Sequence, residues 1–110
     1  ARPKSCFAWF RDCAFLKGFK GLENLNTSEV TNMSRMFSNC TNLSSLDLSM
    51  FDTSSLTNVK EMFINCTNLK SINFGNADYS KVKTLEGLFY GCTWLKTLDL
   101  TNFSTNKEPI

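Results

Sequence analysis

Apolar and polar positions along the chain recur with a period of twenty-six residues. Val30, Met33, Met36 and Phe37 return as Leu56, Val59, Met62 and Phe63, and again as Val82, Leu85, Leu88 and Phe89. Spacing at i, i+3, i+6 and i+7 makes one apolar stripe and predicts a short helix of about two to three turns in each repeat. Thr27-Ser28, Thr53-Ser54 and Ser80 stand just ahead of the stripes, where a hydroxyl can cap the free N–H groups of a helix start. Behind each stripe the period changes to Leu43, Leu46, Leu48 and Phe51, restated as Leu69, Ile72 and Phe74 and as Leu95, Leu98, Leu100 and Phe103. The Leu-x-Leu core predicts a strand too short to pair within its own repeat, so it pairs in parallel with the same strand of the next. Alternation along the strand turns Leu46 and Leu48 inward and Ser45, Asp47 and Ser49 outward. Leu46, Leu48, Ile72, Phe74, Leu98 and Leu100 are therefore the expected inner face of the sheet.

Between stripe and strand lies the most constant stretch, Met36-Phe37-Ser38-Asn39-Cys40-Thr41-Asn42-Leu43, restated from Met62 and from Leu88. A divergent copy begins at Trp9. Its interval to the next, measured from Cys13 to Cys40, is twenty-seven, which places one extra loop residue near Gly21-Leu22-Glu23-Asn24. Counted back from Cys13, residues 3–12 read as a first helix with Pro3 in its opening turn, where a missing N–H costs nothing. At the far end Glu108 occupies the column of Leu56 and Val82, so the repeat stops. A fixed period of this size is the signature of a solenoid, in which each unit leaves an apolar face open until its neighbour stacks on it. One domain over 1–110 is expected, with repeat boxes starting near 9, 36, 62 and 88.

Composition narrows the chemistry. The chain has no His, and no nucleophile-elbow, phosphate-loop or zinc-protease motif, so neither an enzyme nor a cofactor is expected. Cys13, Cys40, Cys66 and Cys92 share one column and Cys6 falls in a stripe column; without Cys-x-x-Cys spacing, no metal site is expected. Inward-pointing column-mates are expected as buried thiols, with disulfides the alternative in an oxidising compartment. The net charge of +2 conceals a gradient, because Arg2, Lys4, Arg11, Lys17 and Lys20 face only Asp12 in the first twenty residues. A basic terminal face without aromatic platforms reads as solvated surface, and no nucleic-acid partner is expected. No apolar run reaches membrane-spanning length, so no membrane insertion of this segment is expected. The absence of an initial Met points to a mature product or a piece of a longer protein. Six Asn-x-Ser/Thr triplets, from Asn26 to Asn102, are the chance product of an Asn-, Ser- and Thr-rich chain.

The units at 30–54, with the run Met-Phe-Ser-Asn-Cys and then Leu-Asp-Leu-Ser-Met-Phe-Asp-Thr-Ser, and at 56–74 resemble the 26-residue repeats of BspA-like leucine-rich-repeat bacterial surface proteins. The resemblance covers about residues 3–105. Ala77-Asp78-Tyr79-Ser80-Lys81 departs from the pattern of 51–55, and Leu88 replaces Met. The expected fold is thus an α/β repeat solenoid: a leucine-rich-repeat right-handed coil with a short parallel sheet on one face and short helices on the other. The resemblance also implies a longer parent chain, a cell-surface or extracellular location, and a non-enzymatic, adhesin-like module that binds host or neighbouring-cell surface and matrix proteins. The alternative is a spacer or stalk of repeats that binds nothing itself.

The candidate binding residues lie on or beside the outward sheet face: Lys17, Lys20, Asp47, Lys70, Asn73, Lys96 and Asp99, with Trp94 in a column otherwise held by Asn42 and Asn68. The sheet should end at Leu98-Asp99-Leu100, and an uncovered edge there is a candidate for self-association.

Overall fold

A helix needs each N–H to reach the carbonyl four residues back, and here left-handed residues interrupt that at fixed intervals. The computed structural model describes residues 3–13 and 25–95. Positive φ recurs at Ala8 and Asp12, at Arg35 and Asn39, at Glu61 and Asn65, and at Gly87 and Gly91, the same two columns in every repeat. Each lies third in a tight turn: the Met36 N–H donates to the Met33 carbonyl at 3.2 Å across Arg35, and the Cys40 N–H to the Phe37 carbonyl at 3.3 Å across Asn39. A positive φ at that position is the mark of a type II turn. The intervening amides turn outward, so that Met33, Arg35, Phe37 and Asn39 donate to the carbonyls of Asn58, Lys60, Met62 and Ile64 at 2.8–3.0 Å. Half of the backbone of this stretch thus closes turns, and the other half joins one repeat to the next.

This corrects the expected architecture. The described residues contain no helix and only two strands, β1 (Ser45–Asp47) and β2 (Ser71–Asn73), so the α/β leucine-rich-repeat solenoid with helices opposite a sheet does not form. The stripe residues are buried all the same: Val30, Met33, Met36, Phe37 and their successors through Leu88 are at most 4% exposed. A spacing of three serves consecutive tight turns as well as a helix, which is why the stripe misled. Residues 3–12 likewise form turns rather than a first helix. The hydroxyls expected to cap helices join neighbouring repeats instead. Thr27 Oγ1 accepts the Asp52 N–H at 2.8 Å, and Thr53 Oγ1 donates to the Asp78 carbonyl at 2.6 Å. Asn26, Asp52 and Asp78 each accept the N–H two residues on, closing side-chain turns at that corner.

β1 and β2 pair in parallel with Ser45 opposite Ser71, Leu46 opposite Ile72 and Asp47 opposite Asn73. Isolated parallel bridges link Ser5 to Asn32 and Asn32 to Asn58 on another side of the stack. The core runs through every described repeat, and its axis is a file of phenyl rings. Phe10, Phe37, Phe63 and Phe89 stack at centroid spacings of 5.6, 5.8 and 5.6 Å, within 12° of parallel. Leu46, Leu48 and Phe74 are buried as expected. Ile72 is only half-buried against the core, and Leu98 and Leu100 lie outside the described residues, as do the extra loop residue near 21–24 and the expected last strand edge.

β2 leaves through Gly75 at φ +61°, where an added Cβ would lie 2.7 Å from Ser49 Cβ and 3.0 Å from Ser49 Cα. Neither Ser49 atom can swing aside, since both are at or next to backbone. Gly75→Ala should therefore cost about 2 kcal/mol from the left-handed conformation and the collision together. A urea denaturation midpoint equal to that of the parent chain would show that the turn relaxes freely.

Candidate binding face

Outward alternation places Ser45 and Asp47 on β1 beside Ser71 and Asn73 on β2, all four exposed. With Leu46 and Ile72 they line a shallow depression of about 250 Å³. Two of these residues also build the turns that end the strands. The Asp47 carboxylate accepts the Ser49 hydroxyl at 2.6 Å and the Ser49 N–H at 2.9 Å, and Asn73 Oδ1 accepts the Gly75 N–H at 2.9 Å. The Ser49 hydroxyl, and then its N–H, hold the Asp47 carboxyl below the usual carboxylate range, so it presents a fixed negative charge.

Beside this pair the structure brings together two residues that are twenty-four apart in sequence. Lys70 Nζ sits 5.0 Å from the centroid of the Trp94 ring, within cation–π range. Trp94 remains 48% exposed. The Lys70 N–H donates to the Ser44 carbonyl at 2.9 Å, which fixes the base of its side chain to the preceding repeat. Of the expected binding residues, then, Asp47 and Asn73 adjoin one another and Lys70 meets Trp94. Lys17, Lys20, Lys96 and Asp99 lie outside the described residues.

Sequence reading missed other surface features. Trp9 shares the inward column of Met36 and Met62, yet it is 46% exposed in the first described layer of the stack. Phe7 and Tyr90 are exposed as well. Charges pair across layers, Arg35 Nε with Glu61 Oε1 at 2.7 Å and Lys60 Nζ with Glu86 Oε2 at 2.9 Å; the two members of each couple stand in the same column, one period apart, and were legible from the period. A larger depression, about 410 Å³, is lined by Phe51, Asp52, Thr53, Ala77, Asp78 and Lys81 among others. Its two carboxylates accept hydrogen bonds from Ser54 and Ser80, and Lys81 Nζ donates to the Ser54 carbonyl at 2.8 Å, so its polar groups are spent on the fold. No group of three or more His, Cys, Asp or Glu side chains among the described residues is placed to hold a metal.

The cysteine column is chemically quiet. Cys6, Cys13, Cys40, Cys66 and Cys92 are all free thiols. Cys40, Cys66 and Cys92 donate from Sγ to the carbonyls of Phe10, Phe37 and Phe63, each at 3.1 Å, so these three thiols reach back to the phenylalanine of the preceding layer. Burial, with smaller contributions from the neighbouring thiols of Cys92 and Cys40, pushes the Cys66 thiol up to about 12. A thiol that remains protonated at neutral pH is a poor nucleophile and a poor metal ligand.

Residues 4–108 match the model of a family described as Mycoplasma protein of unknown function, DUF285. No curated protein and no solved structure matches the chain.

Proposed function

The chain belongs to the DUF285 family, and from that premise we propose that it is a non-enzymatic protein-binding module, presenting the β1–β2 face and the Lys70–Trp94 pair to a surface or matrix protein of a host or neighbouring cell. The observation that carries this reading is the Lys70–Trp94 pair itself. A half-exposed tryptophan braced by a cation offers a large, rigid contact area at small entropic cost, and such residues dominate interface energies. The flat polar strip of Ser45, Asp47, Ser71 and Asn73 beside it supplies a hydrated rim of hydrogen-bonding groups. The finer kinship with BspA-like surface proteins rests on the units at 30–54 and 56–74, and it supports a cell-surface or secreted location.

The test is capture of surface proteins from candidate host and bacterial cells on the immobilised chain, followed by affinity measurement with the captured protein. Trp94→Ala should weaken binding by roughly thirtyfold, or about 2 kcal/mol, as expected for a central aromatic anchor. Lys70→Ala should weaken it less, since it removes only the brace and one charge. If the chain captures nothing, or Trp94→Ala binds as tightly as the parent, the face is not the binding surface and the repeats serve as a spacer.

A further inference from the structure

The two strands carry their outward polar groups in register, Ser45 opposite Ser71 and Asp47 opposite Asn73, and alternation points all four sideways out of the stack, across the direction in which layers add. All four are exposed. Asp47 and Asn73 each have one end of the side chain fixed by their own turn, Asp47 Oδ1 by the N–H and hydroxyl of Ser49 and Asn73 Oδ1 by the Gly75 N–H. The other end of each is open. Asp47 Oδ2 is an acceptor and Asn73 Nδ2 a donor, neither of them hydrogen-bonded among the described residues, and adjacent strands hold such a pair about 4.8 Å apart. An acceptor and a donor thus stand side by side with their orientations already set. The Ser45 and Ser71 hydroxyls, two residues back on the same face, add two groups that both donate and accept.

We infer that this face binds a carbohydrate, one sugar ring laid across the two strands with neighbouring hydroxyls donating to Asp47 and accepting from Asn73. This rests on the reading of the β1–β2 face as the binding surface, and it makes the glycan of a surface glycoprotein the group recognised. A hydroxyl donates one hydrogen bond and can accept two, so adjacent ring hydroxyls meet a fixed acceptor and a fixed donor together, while others on the ring reach Ser45 and Ser71. Charge argues against other small ligands. An anion would meet the Asp47 carboxylate, and a single carboxylate beside a neutral amide falls well short of the oxygen shell a calcium ion takes. Size points the same way. The depression of about 250 Å³ is smaller than the clefts of about 300–1,000 Å³ that enclose a drug-sized molecule, so it suits one ring presented from outside. Leu46 and half-buried Ile72 also line it, which gives the C–H side of the ring an apolar contact.

Biolayer interferometry of the full 110-residue chain on an immobilised O-glycosylated mucin and on a branched mannan, each intact or treated with periodate and then borohydride, tests this. Periodate cleaves the carbon–carbon bond of a vicinal diol and leaves the mucin polypeptide in place. The chain should bind at least one of the two intact probes, and about tenfold or more weakly after treatment, as expected for the loss of one or two hydrogen bonds, one of them to a charged group. Asp47→Asn and Asn73→Asp both keep the Oδ1 that closes the turn, so thermal midpoints should stay within a few degrees of the parent. Each should still weaken binding about tenfold, because the first turns the open acceptor into a second donor and the second does the reverse. The double variant exchanges the two roles and should return to within about threefold of the parent, since hydroxyls rotate to suit. A ligand of fixed polarity, such as a peptide backbone, would not regain binding. No binding to either probe, equal binding before and after periodate, or a double variant no better than the single ones would overturn the inference. Capture of a surface protein that depends on Trp94 and survives periodate would remove the carbohydrate while leaving the protein-binding reading in place.

Discussion

Phe63→Ala is expected to lower the stability of the chain by about 3–5 kcal/mol, the range for truncating a fully buried aromatic residue. Phe63 is 1% exposed and stands in the middle of the phenyl file, 5.8 Å from Phe37 on one side and 5.6 Å from Phe89 on the other. Both stacking contacts disappear together, each contributing about 0.5–1.5 kcal/mol beyond the buried area. The cavity cannot close easily, because the backbone on both sides is pinned: the Phe63 N–H donates to the Leu88 carbonyl at 3.2 Å and the Phe63 carbonyl accepts the Cys92 thiol at 3.1 Å. Against a total of roughly 5–15 kcal/mol for a typical domain, such a loss leaves little or nothing. Urea denaturation followed by circular dichroism should show a midpoint far below the parent's, or no folded baseline. Tyr90→Ala, at a side chain 69% exposed, should shift it hardly at all. Equal shifts for the two variants would mean that the phenyl file is not the core.

That file was legible in the sequence because Phe10, Phe37, Phe63 and Phe89 occupy one column of the period, and burial followed from the column with few exceptions. The helices were misread because apolar positions three apart do not distinguish a helix from a run of tight turns. The discriminating signal lay in the polar residues between them. Asp12, Asn39, Asn65 and Gly91 share a column, and Asn, Asp and Gly are the residues that accept a left-handed backbone most readily. The companion column of Ala8, Arg35, Glu61 and Gly87 gives no such warning, since only its last member favours positive φ. The candidate face divides along similar lines. Asp47-x-Ser49 and Asn73-x-Gly75 are spacings at which a side-chain oxygen closes its own turn, so their local role was readable. The meeting of Lys70 with Trp94 was not, because it depends on how far one layer is offset from the next. Ile72 is half-exposed where its column-mate Leu46 is buried, and column position alone does not reveal that difference.

Raising the pH from about 9 to 11 should unfold the chain cooperatively, because buried cysteines that pack well as neutral thiols cannot be packed as thiolates. An unfolded thiol loses its proton near 9, whereas burial raises Cys6 and Cys40 to about 11 and Cys66 to about 12, and raises Cys92 as well. Between those values the unfolded state binds fewer protons than the folded one, so stability falls as pH rises; it is fully present below 9 and lost on the way to 11 or 12. Each such thiol contributes a slope of about 1.4 kcal/mol per pH unit, and several acting together exhaust a typical domain's stability within one or two units. Burial also pushes the Tyr79 phenol well above its usual range, which adds a loss of the same sign above pH 10. The exposed Lys60–Glu86 pair would weaken in the same direction, but salt screens it while leaving the buried thiols unaffected, so the measurement belongs at high ionic strength. Thermal midpoints at half-unit steps of pH should fall steeply above 9, and Cys66→Ala should flatten the fall even though it starts from a less stable protein. The 3.1 Å contacts to the Phe10, Phe37 and Phe63 carbonyls oppose ionisation in place, since a thiolate there would face an acceptor with no proton to give, and a midpoint constant from pH 8 to 10.5 would show that the thiols ionise without that penalty.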